Sequence, residues 1–138
     1  GTLAAFVTNL NSGDIDVTGS SARFVKADTG SGSVRLEVDG SEEISADTGS
    51  GDVSVEASGS NLSRIKADTG SGDVSLKLPR SAGFQLMADV GSGDVTSGFD
   101  DATAIVERRR VKGYKRGDLK VKIDVDTGSG DVSVGPGR

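Results

Sequence analysis

The stretch Ala67-Asp68-Thr69-Gly70-Ser71-Gly72-Asp73-Val74-Ser75-Leu76 decides the fold, because the chain repeats it. It reads ADTGSGSVRL from Ala27, ADTGSGDVSV from Ala46, ADVGSGDVTS from Ala88 and VDTGSGDVSV from Val125. A worn copy, TNLNSGDIDV, starts at Thr8. The glycine just before the second half of each copy falls at Gly13, Gly32, Gly51, Gly72, Gly93 and Gly130. The steps are 19, 19, 21, 21 and 37 residues, the last close to two periods. Self-similarity at this spacing marks a stacked repeat architecture. It also means that a catalytic-looking string inside the repeat is first of all a structural turn.

Apolar and polar residues alternate within each copy, the period of a half-buried strand. After the glycine, one inward column is Ile15, Val34, Val53, Val74, Val95 and Val132. The next is Val17, Leu36, Val55, Leu76 and Val134, broken by Ser97. Before the turn, inward columns run Phe6, Val25, Ile44, Ile65, Leu86, Ile123 and Thr8, Ala27, Ala46, Ala67, Ala88, Val125. Each unit is therefore strand, Gly-rich turn, strand and polar loop. The glycines permit positive φ, and Asp or Thr in the turn can bond nearby backbone. One unit cannot bury its own apolar face, so neighbours must stack. The expected fold is all-β: a parallel β-solenoid of about 20-residue coils. An antiparallel β-sandwich or meander is the alternative.

Composition fits a thin core: hydrophobic residues are 33% and aromatics 4% of the 138 residues. That length accommodates one domain, 1–138, with repeats over 6–98 and 123–134. Between them the period breaks. AIVERRRVKGYKRGDLKVKIDV reads as two longer strands around a Gly113–Gly117 bend, a β-hairpin insertion over 99–122 that serves as an end cap. There is no cysteine and no histidine, which removes thiol catalysis, Cys/His zinc sites and imidazole acid–base chemistry. No apolar run is long enough to span a membrane. Gly1 runs straight into mid-repeat sequence, as in a fragment of a secreted or membrane-tethered protein.

Charge is unevenly spread: residues 1–107 carry −10, whereas residues 108–122 carry +7 from eight bases and one acid. Arg108, Arg109, Arg110, Lys112, Lys115 and Arg116 are thus the candidate binding residues, for an anionic envelope lipid or glycan. The bland reading is a solvated hairpin. Tyr114 is the one nearby aromatic, so stacking on nucleic-acid strands has little support, and no nucleic acid is expected. Arg116-Gly117-Asp118 spells the integrin tripeptide, but a three-residue match is weak and doubles as a bend.

Asp-Thr-Gly-Ser is also the active-site string of pepsin-like proteases, where two lobes each supply one aspartate. Here the string recurs once per coil, at Asp28, Asp47, Asp68 and Asp126, so turn stabilisation is expected instead. In a parallel stack Asp14, Asp52, Asp73, Asp94 and Asp131 would fall into one acidic column, interrupted by Ser33, with Asp52, Asp73 and Asp94 as a candidate calcium site. The competing reading is that each carboxylate caps its own turn.

The repeated TGSGDV strings, the loop from Leu78 to Phe84 and the final VDTGSGDVSV together resemble the bacterial "putative adhesin" β-strand-repeat domains. The resemblance spans roughly Phe6 to Val134. It implies a β-helix-like solenoid of unknown function in exported or membrane-tethered proteins, and supplies no catalytic residues. The combined expectation is a non-enzymatic, extracytoplasmic surface or structural module, at the cell surface or in the periplasm, without a cofactor unless calcium binds. It is a monomer or an end-to-end oligomer. A polymer-forming scaffold and a carbohydrate-active β-helix enzyme are the rival classes.

Overall fold

The computed structural model describes residues 5–20, 23–39, 42–58, 62–78, 83–91, 93–99, 102–107, 109–117 and 121–136. These form fourteen strands, and no helix among them is long and apolar enough to cross a membrane. Each repeat is a coil of two strands joined by the glycine turn. Coil 1 is β1 (Ala5–Leu10) and β2 (Ile15–Ser20); coil 2 is β3 (Phe24–Thr29) and β4 (Val34–Asp39). Coil 3 is β5 (Glu43–Thr48) and β6 (Val53–Ser58); coil 4 is β7 (Arg64–Ser71) and β8 (Val74–Leu78). Coil 5 is β9 (Phe84–Val90) and β10 (Val95–Ser97), followed by the hairpin β11 (Thr103–Glu107) and β12 (Arg110–Arg116). The last coil, coil 6, is β13 (Val121–Ser129) and β14 (Val132–Pro136).

The strands build two sheets, ordered β1-β3-β5-β7-β13-β9-β12-β11 and β10-β14-β8-β6-β4-β2. Every coil-to-coil pairing is parallel, and apart from a register shift between Thr18 and Ser20 of β2 against β4 the pairings run in register, as in Ile44↔Ile65, Ile65↔Ile123 and Ile123↔Leu86. This is the parallel solenoid, not the sandwich. The inward columns face each other between the sheets and are buried from Val34 to Val134. Phe6 and Thr8, expected to extend them, have side chains outside the described residues. Ala27, Ala46 and Ala67 are 1% exposed or less, and their small side chains let the two sheets close up beside the turn.

Two expectations are corrected. The coils do not stack in chain order: coil 6 is wedged between coils 4 and 5, so that Val132 lies between Val74 and Val95. The reason lies at the outer edge of β9, which β12 occupies as an antiparallel neighbour, with Tyr114 opposite Leu86. Arg116 and Val121 flank Phe84 on opposite sides, and the Val121 amide donates to the Gly83 carbonyl at 3.0 Å. The remaining place for β13 is the slot between β7 and β9. The second correction concerns the bend. The hairpin of β11 and β12 turns between Glu107 and Arg110, which pair with each other; of the expected Gly113–Gly117 bend only Gly117, at φ 64°, is a turn, at the end of β12. Gly113 lies inside β12, where any side chain would collide with the Leu86 carbonyl. It is a close-approach glycine, not a turn glycine.

Candidate functional site

The repeated turn is built from side chains that bond the coil above or below. Thr29, Thr48, Thr69 and Thr127 are the buried polar side chains among the described residues, each 1% exposed. The Thr69 hydroxyl lies 3.0 Å from the Gly51 carbonyl of the preceding coil and 2.9 Å from its own Ser71 carbonyl. Thr48 makes the same bridge to Gly32, and Thr127 makes it to Gly72. Coil 5 carries Val90 at this position, and its place at the end of the stack puts the unbridged interface last.

The aspartate after the glycine does the complementary task. Asp52 Oδ1 accepts from the Asp73 amide at 2.9 Å, Asp73 Oδ1 from the Asp131 amide at 2.9 Å, and Asp131 Oδ1 from the Asp94 amide at 3.0 Å. The three residues considered for calcium are therefore not gathered. Asp131 separates Asp73 from Asp94 by two strand spacings, about 9.6 Å, against calcium–oxygen distances of about 2.4 Å. Among the described residues no group of three His, Cys, Asp or Glu is placed to hold a metal.

Asp28, Asp47, Asp68, Asp126 and Asp89 lie in register across the outer face of the larger sheet. Among the described residues none of their carboxylates caps a turn, which corrects that expectation for Asp47, Asp68 and Asp126. Partial burial, then the charges of Asp68 and Asp28, push the Asp47 carboxyl above its ordinary value, partly offset by Lys66 and Lys26. The ladder runs into a groove of about 520 Å3 between the sheet and the hairpin, where Glu107 and Lys112 face Asp68, Asp89, Asp124 and Asp126.

The basic stretch is divided by the fold. Arg108 and the side chain of Arg110 lie outside the described residues. Arg109 sits exposed at the hairpin tip with φ at 67°, the one non-glycine residue with positive φ among the described residues. The pairing skips Lys112, an extra residue in β12 that forms a bulge and aims its side chain into the acidic groove. Lys115 is exposed opposite Gln85. Arg116 turns the other way, its guanidinium 4.7 Å from the ring centre of Phe99, which in turn packs on Phe84. Arg109 and Lys115 therefore point to solvent, while Lys112 and Arg116 serve the cap. The run-together spelling gave no warning of this, because the bulge reverses the alternation. Sequence reading also passed over Lys26, Arg64 and Lys66, which lie within acidic repeats and which the register sets on the outward face that also carries Lys122, with Arg64 directly beside it.

Parallel coils, a glycine turn ladder and a capping hairpin define a β-solenoid repeat module. The chain belongs to the Toastrack DUF4097 family, whose model matches residues 2–135. The fold is similar to that of a Clostridium sporogenes protein solved at 1.95 Å and titled a "putative cell adhesion protein". That likeness has a TM-score of 0.72 at 16% identity and covers 99% of this chain and 94% of the other. No curated protein is similar to the chain.

Proposed function

We propose that this is a non-enzymatic, extracytoplasmic module of adhesin type, which touches an anionic envelope surface through the tip of its hairpin. The observation that carries the reading is Arg109. A two-residue hairpin connection favours positive φ, and Asn-Gly is the sequence that accepts it at least cost. Here Glu107 pairs with Arg110, and Arg109 between them takes φ at 67°. Holding a long side chain there costs about 1 kcal/mol or more, and such strain is characteristic of positions kept for function. The exposed cation at the tip is what the strain retains. The remaining coils carry net negative charge, so an anion is steered to the tip.

The likeness to the clostridial protein supports adhesion as the setting, and the turn ladder supports a structural role for the repeated string, since Thr29, Thr48, Thr69 and Thr127 and the carboxylates of Asp14, Asp52, Asp73 and Asp131 each bond a neighbouring coil. The test is co-sedimentation with phosphatidylglycerol vesicles against phosphatidylcholine vesicles at low salt. Arg109→Asn, which tolerates the same φ, should keep or raise thermal stability while weakening vesicle binding. Binding that is equal on neutral vesicles, or unchanged in the variant, would refute the reading. Hydrolysis of any polysaccharide in a glycosidase and lyase screen would move the protein to the enzyme class.

A further inference from the structure

Register across the larger sheet assembles a second surface that neither the repeats nor the hairpin displays alone. One row of outward positions runs Phe24, Glu43, Arg64, Lys122, Gln85 and Lys115. The neighbouring row contains Lys26, Ser45, Lys66 and Asp124. At about 4.8 Å per strand, the first row extends for about 24 Å. The two rows hold five cations and two acids, in contrast to the aspartate ladder beside them. Lys122 belongs here because coil 6 is wedged in: it pairs with Arg64 on one side and Gln85 on the other.

At the far end of the strip lies a shallow groove of about 360 Å3 lined by Phe24, Lys26, Glu43, Ser45, Arg64 and Lys66. Phe24 is 41% exposed, an aromatic ring left on a strand surface where its neighbours are polar. The Arg23 guanidinium lies over the ring, 5.7 Å from its centre, and is paired with Glu42 at 3.0 Å, which adds one cation and one acid beside a ring that stays 41% exposed. Arg64 stands beside Glu43 in the row and pairs with Asp124 at 3.8 Å, and both members of that pair are more than half exposed, so it is loose and exchangeable.

We propose that this strip binds a linear acidic polysaccharide of the uronic-acid class, laid across the strands. The cations are spaced along a straight, rigid row and meet carboxylates that recur along a chain. The Phe24 ring offers an apolar face to the C–H face of a sugar ring, while Glu43 and Ser45 present hydrogen-bonding groups to its hydroxyls. The aspartate ladder repels the same polymer and so fixes which row it follows. The site is distinct from the hairpin tip and does not depend on the reading given for Arg109.

The test is titration calorimetry with oligogalacturonate, using the fully methyl-esterified oligomer as the uncharged control. Oligogalacturonate should bind and the ester should not, with affinity falling as salt rises. The triple variant Arg64→Gln, Lys66→Gln, Lys122→Gln should bind at least about fivefold more weakly, since each exposed pair is small on its own. Phe24→Ser should weaken binding while leaving the salt dependence unchanged, because a stacking contact carries no charge. Arg109→Asn should bind as the parent does. Circular dichroism of the triple variant should match the parent, since the three side chains are exposed. Equal affinity for the ester, binding lost in Arg109→Asn but kept in the triple variant, or no binding at low salt would each overturn the proposal. Capture by phosphatidylglycerol vesicles through these same three cations, without oligogalacturonate binding, would also overturn it.

Discussion

Replacing Thr69 by Val tests whether the threonine ladder holds the coils together. Valine has nearly the same shape, so packing is preserved while the hydroxyl is lost. Ser71 O keeps the Gly51 amide at 2.9 Å, so its hydrogen bonding survives. The Gly51 carbonyl loses the hydroxyl that stood 3.0 Å away, in a position where Thr69 is 1% exposed. An acceptor stripped of its donor inside a protein costs about 1–3 kcal/mol, and the added apolar methyl returns part of that. The expected net loss is about 1–2 kcal/mol. With unfolding entropy of about 2.1 cal/mol/K per residue, each kcal/mol lowers the melting temperature of a chain this long by about 3–4 °C. Differential scanning calorimetry should therefore show a drop of about 3–8 °C. The reverse change, Val90→Thr, places a hydroxyl at the interface that lacks one, and should be neutral or stabilising. A Thr69→Val protein as stable as the parent would refute the claim that the ladder, rather than strand pairing and apolar burial alone, contributes to stacking.

Val53→Ala removes two methyl groups from a side chain 1% exposed and should cost about 1–3 kcal/mol in urea unfolding, with no change of secondary structure. Gly72→Ala places a Cβ against the Gly51 carbonyl at φ 127°, so it should cost about 3 kcal/mol or more, and a near-neutral result would contradict the turn geometry. Asp47→Asn should stabilise the protein at neutral pH. The folded chain holds the Asp47 proton more tightly than the unfolded chain, whose ordinary value is 3.8, so the aspartate opposes folding as pH rises through its raised value. The advantage of the variant should shrink on acidification toward that range and should also shrink in high salt, which screens the ladder. A pH-independent difference between the two proteins would assign the effect to something other than this charge.

Strand content, the buried columns and the glycine turns were legible in the chain itself, because alternation and turn chemistry are local. Val53 points inward for the same reason that Ser54 does not, and positive φ at Gly51 needs no knowledge of what lies above it. The order of the coils was not legible. Ala67, Ala88 and Val125 begin copies that present nearly the same groups at the same register, so any of them can stack on any other. The choice falls to the edge of β9, where Gly113 and Tyr114 seat the hairpin and leave the inner slot to coil 6. Charge placement was misread for the same reason. In the chain Lys26, Arg64 and Lys66 belong to acidic repeats and Lys112 belongs to a basic run, but electrostatic neighbours are set by strand register and one bulge. Pairing across 58 residues put Lys122 beside Arg64, and a single extra residue turned Lys112 toward the aspartates. Local geometry specified the repeat; only long-range pairing decided which repeats meet and which charges share a face.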